Sequence, residues 1–107
     1  MTPQTDRLWG GTLTSVQLDP VRHECQLHVD LLEDGANSTH VLRCRGVTEF
    51  HFFNEIPEPW SYAEVTEVHA DYDSAAHCWR LETVLWSESA GIVLRCVDFE
   101  VRTDTTP

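Results

Sequence analysis

The stretch CQLHVDL, residues 25–31, alternates apolar and polar side chains with a period of two. Its apolar members fall on one face of an extended chain; they are Cys25, Leu27, Val29 and Leu31. The polar side chains between them fall on the other face. Successive side chains of a strand point to opposite faces, so the pattern predicts a half-buried β-strand.

Similar runs recur along the chain and are separated by turn signals. The runs are THVLRCRG (39–46), CWRLETVLW (78–86) and VDFEV (97–101), the last with Val97, Phe99 and Val101 predicted to face inward. The turns are predicted at Asp19-Pro20, at Asp34-Gly35, and within 54–60, 73–76 and 87–91. No stretch shows a sustained helical stripe. The pattern predicts an all-β fold, an antiparallel meander of about six strands that forms a sandwich or flattened barrel.

The segment from 47 to 55 supports two interpretations. Val47, Phe50 and Phe53 are spaced for one short helical turn, whereas a strand that continues after a bulge at Gly46 fits equally well. On either interpretation, Phe50 and Phe52 are expected to face the core. Pro57 and Pro59 cannot donate to a sheet ladder, so residues 54–60 are predicted to form a loop.

The length of 107 residues predicts one domain, residues 1–107, with residues 1–6 and 103–107 frayed. No basic start followed by an apolar stretch is visible at the amino terminus, and no segment has the length of a membrane span. We therefore expect a cytoplasmic protein that does not bind membranes. The four isolated cysteines are expected to be reduced thiols of the core.

Acidic residues outnumber basic ones by 18 to 7, which gives a formal net charge of −11. Such a charge repels phosphate backbones and anionic lipid, so nucleic-acid binding is not expected. It favours a basic protein partner, although solubility alone also explains an acidic surface. No glycine-rich phosphate loop, nucleophile signature or carboxylate pair points to catalysis, and no catalytic residue is predicted.

One group of side chains has the chemistry of a metal site. His69, Asp71 and Asp73 would share one face of a strand, and His77 begins the next strand, where a hairpin would bring it opposite. Two imidazoles and two carboxylates suit zinc or manganese. An exposed polar edge that runs into a turn explains the same residues without a metal. A metal-binding module or metal-dependent enzyme is therefore the alternative to a protein without cofactors.

The aromatic segment from Phe50 to Tyr62 is flanked by glutamates and is the best candidate for a binding surface. Aromatic rings supply much of the energy of protein interfaces, and acidic neighbours would steer a basic partner. Core and loop packing would explain part of the segment equally well. The predicted protein-binding residues are Phe53, Glu55, Glu58, Trp60, Glu64 and Glu67. A symmetric contact through the same rings, in a homo-oligomer, is a further alternative.

Three stretches, LRCRGVTEFHFFNE, PWSYAEVTEV and GIVLRCVDFEV, resemble small bacterial YxiG-like and immunity-protein-like β domains of toxin systems. The resemblance covers about residues 40–102 and rests on a strand–Gly–Val–x–x–Phe pattern, a Trp–x–Tyr loop and a terminal amphipathic strand. It implies an all-β fold and neutralisation of a toxin by direct binding, and it supplies no catalytic residue. A basic nuclease toxin would suit the acidic charge of this chain.

Overall fold

The computed structural model describes residues 5–33, 35–56 and 58–104. These residues form a short 3-10 helix, Thr5–Leu8, and eight β-strands. The strands are β1 (Thr12–Asp19), β2 (Glu24–Glu33), β3 (Ala36–Arg45), β4 (Glu49–Asn54), β5 (Ala63–Asp73), β6 (Cys78–Leu85), β7 (Ser87–Cys96) and β8 (Asp98–Asp104). They pair antiparallel in one sheet with the order β4-β7-β6-β5-β1-β2-β3-β8.

The all-β prediction is confirmed, but two of its details are wrong. The described residues form eight strands instead of about six, and the sheet is open, with β4 and β8 at its two edges, instead of a sandwich or closed barrel. One reason for the low count is that GIVLRCVDFEV reads as one continuous strand. The chain instead turns at Val97, which separates β7 from β8 and is 60% exposed, contrary to its predicted inward position. Phe99 and Val101 do pack against the core.

Of the two interpretations of residues 47–55, the strand is confirmed and the helical turn is wrong, because Glu49–Asn54 forms the edge strand β4. Gly46 has a positive φ of 67°, and a Cβ there would lie 2.6 Å from Cγ2 of Val97. Glycine is therefore needed where the chain leaves β3 and passes close to the β7–β8 corner. The Val47 amide then donates to the His23 carbonyl (2.8 Å), which fixes the direction in which β4 starts.

A single hydrophobic cluster unites the two halves of the sheet. The cluster takes Leu27 from β2, Leu42 from β3, Val65 from β5, Leu81 from β6 and Leu94 from β7, and each is 2% exposed or less. Side chains of β2 point inward as its alternation predicts: Cys25, Leu27, Val29 and Leu31 are all buried. The open sheet therefore bends around one core.

The predicted hairpin at Asp34-Gly35 joins β2 to β3, with Gly35 at a φ of 77°; Asp34 itself lies outside the described residues. The predicted fraying of 1–6 and 103–107 falls mostly on residues that are also outside them. Thr5, which starts the 3-10 helix, is buried, and Thr103 belongs to β8. Within the described ranges, no helix is long and apolar enough to cross a membrane.

Candidate functional site

The tight connection between β6 and β7 carries an unusual tryptophan. Leu85 pairs with Ser87 across the hairpin, so Trp86 alone makes the turn, with a φ of 67°. A bulky side chain rarely adopts this left-handed conformation, because its Cβ crowds the backbone. The Trp86 amide donates to the Glu64 carbonyl (2.9 Å), which ties the turn to the start of β5. Neighbouring contacts thus hold the turn in a conformation that tryptophan does not favour.

Around this turn lies a group of four aromatic rings and one aliphatic side chain that we call the aromatic patch; it consists of Phe52, Ile56, Trp60, Tyr62 and Trp86. The centroids of Tyr62 and Trp86 are 4.6 Å apart with an interplanar angle of 61°, and those of Phe52 and Trp60 are 6.4 Å apart at 67°. Phe52 is 51% exposed and Tyr62 is 56% exposed. Edge-to-face packing fixes these rings while much of their surface stays in water.

Part of the patch forms a shallow and widely open pocket of about 440 Å³, lined by Ile56, Trp60, Ser61, Tyr62 and Trp86. Trp60 is half-buried and packs against the hydrophobic core, so the loop before β5 is anchored at this position. The indole nitrogen of Trp60 is buried and has no hydrogen-bond partner among the described residues. The pocket is therefore almost entirely aromatic and aliphatic.

The two segments that carry most of the aromatic patch contain negative charges only. Segments 52–64 and 85–91 contain four glutamates, Glu55, Glu58, Glu64 and Glu88, and no arginine or lysine. In the described part of the chain, none of these four side chains makes an ion pair or a hydrogen bond. The surface thus combines exposed rings with four uncompensated carboxylates.

Three arginines elsewhere in the sheet have acidic partners at short distance, whereas Arg102 of β8 has none among the described residues. Arg43 contacts Glu24 (2.8 Å), Arg45 contacts Asp98 (2.8 Å) and Arg95 contacts Glu49 (3.3 Å). The pairing extends to a polar pocket of about 330 Å³ on the outer face of β2, β3 and β8, where Arg43 is already engaged by Glu24. The aromatic patch therefore differs from these ion-paired positions, because it combines unpaired carboxylates with exposed apolar surface.

The structure divides the predicted protein-binding residues. Trp60 belongs to the aromatic patch, and Glu55, Glu58 and Glu64 are its unpaired acids. Phe53 follows Phe52 on β4, so its side chain lies on the opposite face of the strand, where it stacks on His51 and lies next to Gly91 of β7. Glu67 lies further along β5 and contacts Nε2 of His69 (3.2 Å).

Four members of the aromatic patch were not among the predicted residues: Phe52, Ile56, Tyr62 and Trp86. Phe52 was expected to face the core, and this prediction is wrong because half of its surface is exposed. Of Phe50 and Phe52, only Phe50 packs against the core cluster. A signal for Trp86 is present in LWSES, where a tryptophan directly precedes a turn-forming stretch, but the alternation of CWRLETVLW places it inside a strand.

The predicted metal ligands lie along the β5–β6 hairpin and have other contacts. His69 contacts Glu67 and packs against the Trp9 ring at 5.7 Å. Oδ1 of Asp73 accepts hydrogen bonds from the backbone amides of Ala75 and Ala76, and Oδ2 lies 3.7 Å from Nη1 of Arg95.

The other two predicted ligands lie at and near the turn of this hairpin. His77 occupies the turn with a φ of 53°, and Asp71 is the register partner of Arg80 across the two strands. Among the described side chains, no group of three or more His, Cys, Asp or Glu residues is arranged to hold a metal ion. Zinc or manganese binding by these residues stays a prediction.

Three of the four cysteines form a buried cluster in the core. Cys25 and Cys44 are partners in the β2–β3 register, and Cys44 hydrogen-bonds to Cys96. Burial raises the pKa of Cys25 to about 11, helped by the nearby Cys96. The hydrogen bond raises the pKa of Cys44 and lowers that of Cys96. All three thiols have no exposed surface, so this cluster is a packing feature and not an accessible nucleophile.

No protein-family model matches this chain, and no curated protein matches it either.

Proposed function

We propose that the chain is a non-enzymatic protein-binding domain that docks a basic partner protein on the aromatic patch. The observation that carries this proposal is the coincidence of exposed rings with four glutamates that have no ion-pair partner. Aromatic rings are enriched among the residues that dominate interface energies. Uncompensated carboxylates beside them steer a basic partner and discriminate against acidic ones.

The left-handed backbone of Trp86 supports the same proposal. A tryptophan at this turn costs conformational energy that a glycine or asparagine would not, and strained residues are concentrated at functional sites. Because the indole of Trp86 stands at the tip of the β6–β7 hairpin, it packs against the Tyr62 ring and lines the pocket together with Trp60. Binding by these rings would account for a side chain that the turn itself does not favour.

The specific form that we propose is an immunity-type protein of a bacterial toxin system, acting in the cytoplasm. Its carboxylates would occupy the basic surface with which a nuclease toxin holds phosphate. The resemblance of residues 40–102 to immunity-protein-like domains and the net charge of −11 support this form. A direct inhibitor needs only surface complementarity, which agrees with the absence of any predicted catalytic residue.

The test is calorimetric titration of the chain with the product of the adjacent gene, compared with two tyrosine variants. Tyr62 is 56% exposed and contacts Trp86 edge to face, whereas Tyr72 is 51% exposed and contacts Trp79 in the same manner. Tyr62→Ser is expected to weaken binding at least tenfold, and Tyr72→Ser to leave it within about twofold. Equal losses in both variants, or no binding of any basic protein by the native chain, would contradict the proposal.

A further inference from the structure

The pocket of the aromatic patch offers ring faces at an angle instead of a flat apolar surface. Tyr62 and Trp86 meet at 61°, and Trp60 and Ile56 complete the walls of the 440 Å³ space. This volume is at the lower end of the range of small-ligand sites, which suits a single side chain better than a helix or a folded surface. The lining residues carry few polar groups, namely the hydroxyls of Ser61 and Tyr62 and the indole N–H groups, so a purely polar ligand would lose more hydration than it regains.

Aromatic walls surrounded by carboxylates select a particular kind of cation. A guanidinium is planar, weakly hydrated and stacks on indole and phenol faces, while its fork of donors suits carboxylates. An ammonium is a compact and strongly hydrated charge that gains less from an aromatic wall. Glu58 lies between Ile56 and Trp60 in the sequence, and Glu88 lies two residues after Trp86, so both belong to the segments that line the pocket.

We propose that the Trp60–Tyr62–Trp86 pocket is a receptor for an arginine side chain that the basic partner presents; this inference rests on the proposed function and specifies its recognition chemistry. The arginine stem lies against Ile56 and the rings, and its guanidinium stacks on an aromatic face within reach of the carboxylates. A second copy of this chain is a poorer occupant, because each copy carries a net charge of −11.

The experiment titrates the isotope-labelled protein with N-acetyl-arginine amide and follows the indole N–H resonances of Trp60 and Trp86. Arginine is expected to shift both resonances saturably, with an affinity that falls as salt is raised from 50 to 300 mM. N-acetyl-citrulline amide has nearly the same shape without the charge and is expected to give no saturable shift. The lysine probe is expected to bind at least fivefold more weakly than arginine.

Two variants with an equal change in charge test the role of the rim. Glu58→Gln removes a carboxylate beside the pocket and is expected to weaken arginine binding at least threefold. Asp71→Asn is the matched control, since it lies eight residues along β5 from Ala63, about 26 Å away at 3.3 Å per residue, and it should leave the affinity unchanged. Both positions are exposed, so neither variant is expected to disturb folding.

The outcomes separate this inference from the proposed function. Equal shifts with citrulline, stronger binding of N-acetyl-norleucine amide, or no shift with any probe would overturn the arginine receptor. Indole shifts that appear on concentration of the protein alone would assign the pocket to another copy and would also overturn it. A partner protein that loses affinity with Tyr62→Ser, while the arginine probe does not bind, would leave the proposed function standing and remove only this inference.

Discussion

The indole of Trp86 meets the phenol ring of Tyr62 edge to face, with centroids 4.6 Å apart, although the Trp86 backbone has a φ of 67°. The ring contact is favourable by about 0.5–1.5 kcal/mol beyond its buried area. The left-handed backbone costs roughly 1–2 kcal/mol for a residue with a Cβ. These two terms are of similar size and nearly cancel, so the net contribution of Trp86 comes from the area that its half-buried indole removes from water.

Replacing Trp86 by glycine is therefore expected to lower the free energy of unfolding by only about 1–2 kcal/mol, because relief of the backbone offsets the lost ring contact and leaves the loss of partial burial. Trp79→Gly is the control: Trp79 lies in regular β6 and packs against both Tyr72 and Phe99, so its loss should cost about 3 kcal/mol or more. Urea unfolding of both variants measures the difference. A loss at position 86 as large as that at position 79 would show that the indole is a structural anchor.

Gly91 of β7 is expected to tolerate no larger side chain. A Cβ at this position would lie 2.6 Å from the Thr83 carbonyl oxygen and 3.0 Å from the Phe53 ring, which rests beside the bare backbone. Gly91→Ala should therefore lower the free energy of unfolding by about 2 kcal/mol, in the range of overpacked sites.

Gly35→Asn is a suitable comparison for this experiment. No atom lies within 4 Å of a Cβ at Gly35, and asparagine tolerates its φ of 77°. This variant should unfold within about 1 kcal/mol of the native chain in the same urea series. A Gly91→Ala protein of native stability would mean that β6 and β4 can both move away from β7.

The strands of this chain can be predicted from its sequence because one face of each inner strand is buried. The alternation in 25–31 predicts the burial of Cys25, Leu27, Val29 and Leu31 correctly, since a half-buried strand leaves a period of two in the sequence. The order of the strands in the sheet, and whether the sheet closes into a barrel, leave no comparable pattern in the sequence. Whether β4 pairs with β7 or β8 depends on contacts between residues far apart in the chain, and periodicity cannot distinguish an open sheet from a barrel.

The candidate site could be predicted only in part, because it too is assembled from residues that lie far apart in the chain. Glu55, Glu58 and Trp60 stand in a proline-containing loop that the sequence marks as exposed. Trp86 joins them from a hairpin about 25 residues away, through the bond from its amide to the Glu64 carbonyl. A positive φ at a tryptophan has no sequence signature, because local preference argues against it.

Phe50 and Phe52 should respond differently to truncation, although they share one face of β4. Phe50 packs against the core cluster, whereas Phe52 is 51% exposed and contacts Trp60. Phe50→Ala is expected to cost about 2 kcal/mol of unfolding free energy, less than a fully buried ring, and Phe52→Ala well under about 1 kcal/mol. Thermal unfolding checks the ranking. The reverse order would place Phe52 in the core and remove it from the aromatic patch.

The buried thiol of Cys25 should make the protein less stable in alkali. Its pKa is raised to about 11 by burial, against an ordinary value of 9.0 in the unfolded chain. Below pH 9 both states keep the proton, and the stability is fully present. Between pH 9 and 11 the unfolded thiol ionises while the folded one does not, so the free energy of unfolding falls as the pH rises. A shift of this size corresponds to about 2–3 kcal/mol once both states are ionised.

Urea unfolding between pH 8 and pH 10.5 tests this expectation, with Cys25→Ala as the diagnostic variant. The variant should be less stable at pH 8, because a small cavity replaces the sulfur, but its stability should decline less steeply above pH 9. Val29→Ala is the control: it also truncates a buried side chain of β2 and removes no titrating group, so it should keep the native slope. Identical slopes for all three proteins would mean that the folded chain admits water to Cys25 before it unfolds, since only hydration would let the thiolate form inside the native core.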